Sequence, residues 1–405
     1  MNSKSDLTIR ENVILIGVMC YLYMATIGLM TTSGGSRPFV EISRAGAIAL
    51  VLLIGAGLVA SIRMSAVHLL SALLYLLLMV FGFTMAEMHG VEQLYLQYAT
   101  DVVVILAGLF IFSFLSYARN DLDYKLARYF FIYCVVLLLI TIMTGGLVME
   151  MPPRFVFDYV SDLISKDVSY SQGVSKFFGY GALAASYLYV KSAAGSKRLV
   201  FGLMVLFFLV LSLLGGARGD SFFAVIIVLF YFTVVYGLRV IWPLIVVAAA
   251  FMLLVSNATF MNDLVLVQRM QGAAGGYGQR DVLLFQVGSL LIARVDCLLL
   301  GCGFGFFQHY FNYPPGLYPH NILAELIVIS GLPLAMLLMF LTFKGVFLDI
   351  KLNGIRFVSL VFLYSFLLGL KSGEVSSSWL LIVLIIWFAA RYVAFRMGHK
   401  EAFQS

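Results

Sequence analysis

Residues 67–85 read VHLLSALLYLLLMVFGFTM, nineteen consecutive positions without Asp, Glu, Lys or Arg. At about 1.5 Å of rise per residue, a helix of that length covers ~28 Å, close to the ~30 Å hydrocarbon core of a bilayer. Comparable runs recur along the whole chain. Of its 405 residues, 62% are hydrophobic and 11% charged, where an ordinary soluble domain carries about 25% charged. A soluble core of this size has no room for that much apolar surface. A membrane β-barrel would show short segments of alternating polarity, whereas these blocks are continuous. The chain therefore reads as an all-α polytopic membrane protein.

Twelve spans are expected, at approximately 13–30, 45–62, 67–85, 99–117, 129–148, 173–190, 199–214, 219–236, 240–256, 321–343, 356–370 and 379–396. The first is long for the apolar part of a secretory signal and lacks a small-x-small cleavage site, so it reads as an anchor. With the N-terminus placed in the cytoplasm, 16 of the 26 Lys and Arg fall inside and 14 of the 20 Asp and Glu fall outside. This is the positive-inside bias, and the net charge of +6 reflects topology rather than affinity for nucleic acid. Both termini are expected to be cytoplasmic.

Residues 282–300, VLLFQVGSLLIARVDCLLL, are long enough to span but carry Arg294 and Asp296. If they crossed, Lys344, Lys351 and Arg356 would move outside and the charge bias would weaken. A helix near 280–300 lying on the outer surface, or re-entering it, preserves the bias. The whole chain then forms one membrane domain, 1–405, with outer loops at 149–172 and 257–320. Loops of that length in a compact protein are usually functional or disordered, and the Arg, Gly, aromatic and apolar content of 257–320 reads as structured.

Cys20, Cys134, Cys297 and Cys302 form no CxxC pair and lie in apolar sequence. They read as small hydrophobes, and no disulfide between Cys297 and Cys302 is expected. No His, Cys and carboxylate spacing suggests a metal, and no nucleotide-binding loop is present. No cofactor is expected.

Two polar constellations remain. In LLGGARGDSFF, Gly215, Gly216 and Gly219 permit a tight turn and Arg218 opens a helix. Free N–H groups, the helix dipole and a guanidinium favour an anion there, phosphate above all. Alternatively Arg218 pairs with Asp220 at an ordinary loop. The second constellation runs GQRDVLLF, GCGFGFF and YPHNILAELIVISGLPL. Gly301, Gly303 and Gly305 give backbone freedom, and Pro314, Pro315 and Pro319 stiffen the approach to His320. At a helix start the dipole disfavours imidazolium, which suits His320 to a general base. It would otherwise simply cap a helix at the headgroup level. Glu325 is either a partner of His320 or an interfacial acid, and no second acid stands beside His320 in sequence.

These motifs, in this order and with the late KSGEVSSSW, resemble the O-antigen polymerase and O-antigen ligase superfamily, the polymerase branch in particular. The resemblance covers the second half of the chain. It implies a fold related to C-type membrane glycosyltransferases in a bacterial inner membrane. It also implies a metal-independent enzyme of lipopolysaccharide biosynthesis, acting on glycans carried by undecaprenyl pyrophosphate at the periplasmic face. By motif match, Arg218 and Arg280 would hold the pyrophosphate and His320 would activate the acceptor hydroxyl. Arg294, Glu325 and Asn321 are candidate supporting residues. Donor and acceptor would both be lipid-linked, and a chain-length regulator is a further candidate partner. The alternatives are a ligase delivering the glycan to lipid A–core and, from another class, a polysaccharide transporter or lipid flippase. Arg280 and Arg294 lie fourteen residues apart, about 21 Å along a continuous helix, so one pyrophosphate should engage only one of them. Arg280 is the expected one, with Arg294 pairing to Asp296 or anchoring the helix near GCGFGFF. Should both be needed, the helix is expected to break at Gly288–Ser289.

Overall fold

Apolar runs with no water to bond must satisfy every backbone N–H and C=O internally, and here they do so as helices. The computed structural model describes residues 3–27, 37–61, 64–91, 95–117, 120–143, 147–150, 154–157, 172–193, 195–215, 217–238, 279–314, 317–375 and 378–399. Its helices are α1 (Ser3–Ile27), α2 (Arg37–Ser61), α3 (Ala66–Met88), α4 (Tyr95–Ser113), α5 (Asn120–Met143), α6 (Gln172–Lys191), α7 (Ser196–Leu214), α8 (Arg218–Tyr236), α9 (Gln279–Ala293), α10 (Val295–Leu300), α11 (Phe306–Phe311), α12 (Ile322–Asn353), α13 (Phe357–Ser372) and α14 (Trp379–Arg396). Among the described residues, five helices are long and apolar enough to cross a membrane: Ala66–Met88, Ser196–Leu214, Gly219–Tyr236, Ile322–Asn353 and Trp379–Arg396. Shorter apolar helices cover Glu11–Thr26, Ala45–Leu58, Tyr98–Ser113 and Phe357–Ser372. The chain is an α-helical membrane protein. The expected span 240–256, residues 257–278 of the large loop and residues 158–171 of the smaller one lie outside the described residues. A two-stranded antiparallel hairpin, Leu147–Glu150 with Arg154–Phe157, opens the smaller loop and pairs Leu147 with Phe157.

Two units can be distinguished. One comprises Met1–Tyr21, Ile48–Asn120 and Tyr277–Ser405; the other comprises Leu22–Ala47 and Asp121–Gly276. In the first, α14 is buried on every side from Leu380 through Arg391. A helix apolar all round belongs at the centre of its bundle, and Gly345 of α12 lets the α14 backbone approach so closely that a Cβ there would meet the Phe388 carbonyl. Near the C-terminal end of α12, buried Asp349 forms ion pairs with Arg391 at 2.9 Å and Arg356 at 3.6 Å and accepts from Asn353 Nδ2 at 2.9 Å. In the second unit, hydroxyls tie α6, α7 and α8 together. Ser175 Oγ donates to the Ser212 carbonyl (2.8 Å), Ser212 Oγ to the Ser175 carbonyl (2.7 Å) and Ser221 Oγ to the Ser212 carbonyl (2.7 Å).

The feature that shapes the first unit is a break in α12. Gly331 is non-helical (φ 78°, ψ 157°) and Pro333 follows two residues later. Proline has no N–H for the carbonyl four residues back, so Ile329 loses its acceptor role within the helix, and the Gly331 kink does the same for Val328. The GCGFGFF loop supplies the missing donors: Cys302 N to Val328 O at 2.7 Å and Gly303 N to Ile329 O at 3.2 Å. On its other side Phe304 N donates to Gly82 O of α3 at 3.2 Å. Gly303 sits at φ 86°, and a Cβ there would meet the α3 backbone at Gly82 and Ala86. The expected span 321–343 is therefore two helical pieces parted at Gly331, and the 22 residues after the break rise ~33 Å, enough to cross unaided.

Two sequence expectations need correction here. Cys297 and Cys302 are joined in a disulfide, with their Cα atoms 4.8 Å apart. Gly301, at φ 79°, ends α10 and turns the chain back so that the two thiols meet, which residue spacing alone does not reveal. The segment 279–300 is also not one helix. It breaks at Arg294 (φ −124°, ψ 81°) rather than at Gly288–Ser289, so Arg280 and Arg294 do not share a helical face. Cys20 and Cys134 remain free.

Candidate functional site

His320 precedes the first turn of α12, and its backbone is left-handed (φ 56°). That conformation is uncommon for a residue with a side chain and persists where surrounding structure imposes it. The next residue supplies the constraint. Asn321 caps α12, its Oδ1 accepting from Leu323 N and Ala324 N at 3.0 Å each, while its Nδ2 donates to the Leu370 carbonyl at 2.7 Å. Asn321 is thus a clamp between the start of α12 and the end of α13. Its amide makes three bonds to backbone.

The His320 ring packs on Tyr318, with centroids 4.1 Å apart. Its Nδ1 is buried and has no hydrogen-bond partner among the described residues. Burial lowers the imidazole pKa, and the Arg280 charge lowers it further. The neutral ring, able to accept a proton, is the resting form at neutral pH. Arg280 opens α9 as its second residue and makes no ion pair among the described residues. Its field also reaches Tyr318, whose phenol is pushed up to about 12, by burial first and then by the carboxylates of Glu374 and Glu325, with Arg280 opposing. The Arg280 charge therefore acts on His320 from 40 residues away in sequence.

The sequence offers no acid directly beside His320, and the carboxylates whose fields reach this segment, Glu374 and Glu325, act on Tyr318. Glu325, one turn into α12, is buried and accepts from Val375 N at 2.8 Å. Glu374 comes from the KSGEV segment that follows α13. Asp101 of α4 accepts from the Trp379 indole at 2.7 Å. These acids arrive from three separate parts of the chain, and only Glu325 lies near His320 in sequence. Along α12, an apolar cavity of about 630 Å³ runs from Leu323 past Met336 and Phe340 to Phe347.

Arg294 stands apart from this group. It holds Asp296 in a two-pronged pair, Nε to Oδ1 at 3.0 Å and Nη2 to Oδ2 at 2.7 Å, and lies 5.5 Å from the centre of the Phe306 ring. Its hydrogen bonds hold the Asp296 carboxyl below the usual carboxylate range. In the other unit, Arg218 is the first residue of α8, after the N-cap Ala217, whose N–H donates to Ser175 Oγ at 3.2 Å. The arginine side chain lies outside the described residues, and so does Gly216. Gly215 has ordinary right-handed dihedrals (φ −66°, ψ −13°), so the turn does not require a glycine at that position.

Compared with protein-family models and with curated protein sequences, the chain matches none.

Proposed function

We propose that this protein is a membrane glycosyltransferase of the O-antigen polymerase type, with twelve spans, cytoplasmic termini and its site on the periplasmic side of a bacterial inner membrane. The observation that carries the reading is the buried Nδ1 of His320, which has no hydrogen-bond partner among the described residues and lies within the field of the Arg280 charge. An activated sugar on a diphosphate needs two things: positive charge where the diphosphate departs and a neutral base where the incoming hydroxyl loses its proton. Arg280 holds the diphosphate. His320 takes the acceptor proton as the acceptor oxygen bonds to the anomeric carbon. The bond from that carbon to the diphosphate oxygen breaks, its electrons leave with the diphosphate, and the anomeric centre inverts. The α12 cavity is long and apolar enough for part of a polyprenyl tail. Arg294 is structural, since its Nε–Nη2 edge is held by Asp296.

Deletion of the gene tests the reading through the surface polysaccharide. A core carrying one repeat unit supports a polymerase. An uncapped core with lipid-linked polymer accumulating indicates a ligase, and undelivered units held inside the cell indicate a flippase.

A further inference from the structure

Next to the Gly-rich loop, four side chains from two distant stretches converge. His89 Nε2, Asp296 Oδ2 and the sulfurs of Cys297 and Cys302 all lie within 4.8 Å of one another. His89 Nδ1 is 2.8 Å from the Met85 carbonyl. A carbonyl only accepts, so Nδ1 carries the hydrogen and the neutral ring presents a lone pair at Nε2. That lone pair faces a carboxylate oxygen at 3.3 Å and Cys302 Sγ at 3.4 Å. Two acceptors face each other stably only with a positive centre between them, which is a second proton on His89 or a cation.

We infer that, when the Cys297–Cys302 bond is reduced, His89, Asp296, Cys297 and Cys302 form a tetrahedral site for a zinc-class divalent cation. A dithiol delivers two electrons and two protons to the disulfide and leaves as its own cyclic disulfide. The cation then displaces one proton from each thiol. Two thiolates and an imidazole select a borderline-soft metal over magnesium or calcium. With metal–ligand bonds of about 2.0–2.3 Å, tetrahedral ligand atoms stand roughly 3.3–3.8 Å apart, so the cluster closes with shifts of about 1 Å. The surrounding contacts suit such a site. His89 is oriented by a backbone carbonyl and Asp296 by Arg294, the outer bonds that fix metal ligands. Two thiolates and a carboxylate, set against a divalent cation and Arg294, leave no net charge. Both sulfurs are buried, while Asp296 is 46% exposed and gives a way in. In either state Cys297 stays fastened to Cys302, so the Gly-rich loop that holds the α12 break keeps its anchor.

The test uses the full chain in detergent, with cobalt(II) alone as probe. After treatment with excess dithiol and its removal, alkylation mass shift counts the free thiols and visible absorption follows cobalt. The expected result is one cobalt ion per chain, with the absorption bands of tetrahedral thiolate coordination, displaced by zinc. Untreated, disulfide-bonded protein takes up none. His89→Gln, which keeps both cysteines, weakens binding about tenfold or more, and Cys302→Ser abolishes the thiolate bands. Should Cys302→Ser fail to fold, comparison of the oxidised and reduced wild type decides the same question. The inference is overturned if the folded protein keeps its disulfide under dithiol, if the reduced protein takes up no cobalt, or if His89→Gln binds as tightly as wild type.

Discussion

Asn321→Ala tests whether the residue beside the proposed base is a clamp or a substrate contact. The substitution removes two bonds to the first-turn N–H groups of α12 and one bond to the Leu370 carbonyl in the last turn of α13. Loss of a side-chain cap costs about 1–2 kcal/mol. The bond to Leu370 contributes about 1 kcal/mol more, since a helix-end carbonyl otherwise lacks an intrahelical partner. The expected destabilisation is about 2–3 kcal/mol. Asn321→Ser keeps an oxygen for the cap but cannot reach Leu370, and should cost only about 1 kcal/mol.

Equilibrium unfolding in mixed detergent–SDS micelles measures both variants against wild type. Turnover at several pH values supplies a second readout. Once the cap is gone, the constraint that keeps His320 left-handed and half-buried is lost. Its pKa should then relax upward toward the ordinary imidazole value of about 6.5, and the acid limb of activity should follow it. An Asn321→Ala protein within about 0.5 kcal/mol of wild type would refute the clamp. So would an Asn321→Ser protein that is stable yet inactive, because that result requires Asn321 to touch the substrate.

Four further outcomes are expected. Gly303→Ala should cost about 3 kcal/mol or more in the same unfolding assay, from a strained positive φ together with displacement of two loop hydrogen bonds, and a near-neutral effect would mean the loop does not seat as described. For His320, whose pKa is lowered by burial and by Arg280, base catalysis is present above that lowered value and is lost as pH falls through it; Arg280→Gln should shift the acid limb of the residual activity upward, and an unmoved limb would separate the two residues. Arg294→Lys should change stability by no more than about 1 kcal/mol, as expected of an exposed pair, and leave turnover intact, so a dead variant would return Arg294 to the site. Single cysteines on a background lacking native cysteines should be reached by an impermeant reagent at position 310 and not at position 196, and the reverse pattern would invert the orientation.

Legibility followed the range of the interaction. Helices were readable because apolar blocks are local, and the start of α8 at Arg218 was readable as a helix opening. His320 was readable as a helix-start histidine, since Pro319 and Asn321 flank it. The acid that acts on neighbouring Tyr318 was not, because Glu374 comes from another part of the chain. The Cys297–Cys302 bond failed for a different reason. A separation of five residues within an apolar run reads as one helix, where the two thiols would point apart, and only the reversal at Gly301 brings them together. His89 joins that pair from more than 200 positions away.

ISGLP and GCGFG mark where local sequence stops being enough and a long-range partner becomes necessary. Pro333 removes the N–H that the Ile329 carbonyl would receive in an unbroken helix, and a buried carbonyl without a donor costs about 1–3 kcal/mol. Inside a membrane bundle no bulk water can supply that donor, so another segment must. The requirement is therefore written into the proline itself. Its donor has to come from backbone that is not committed to a helix and can approach without a Cβ in the way. Among the described residues, the glycine-rich loop answers both conditions, with Gly303 N on the Ile329 carbonyl and Cys302 N on the Val328 carbonyl. Two motifs that read as separate punctuation are one structural unit, and the break that one creates is the socket the other fills.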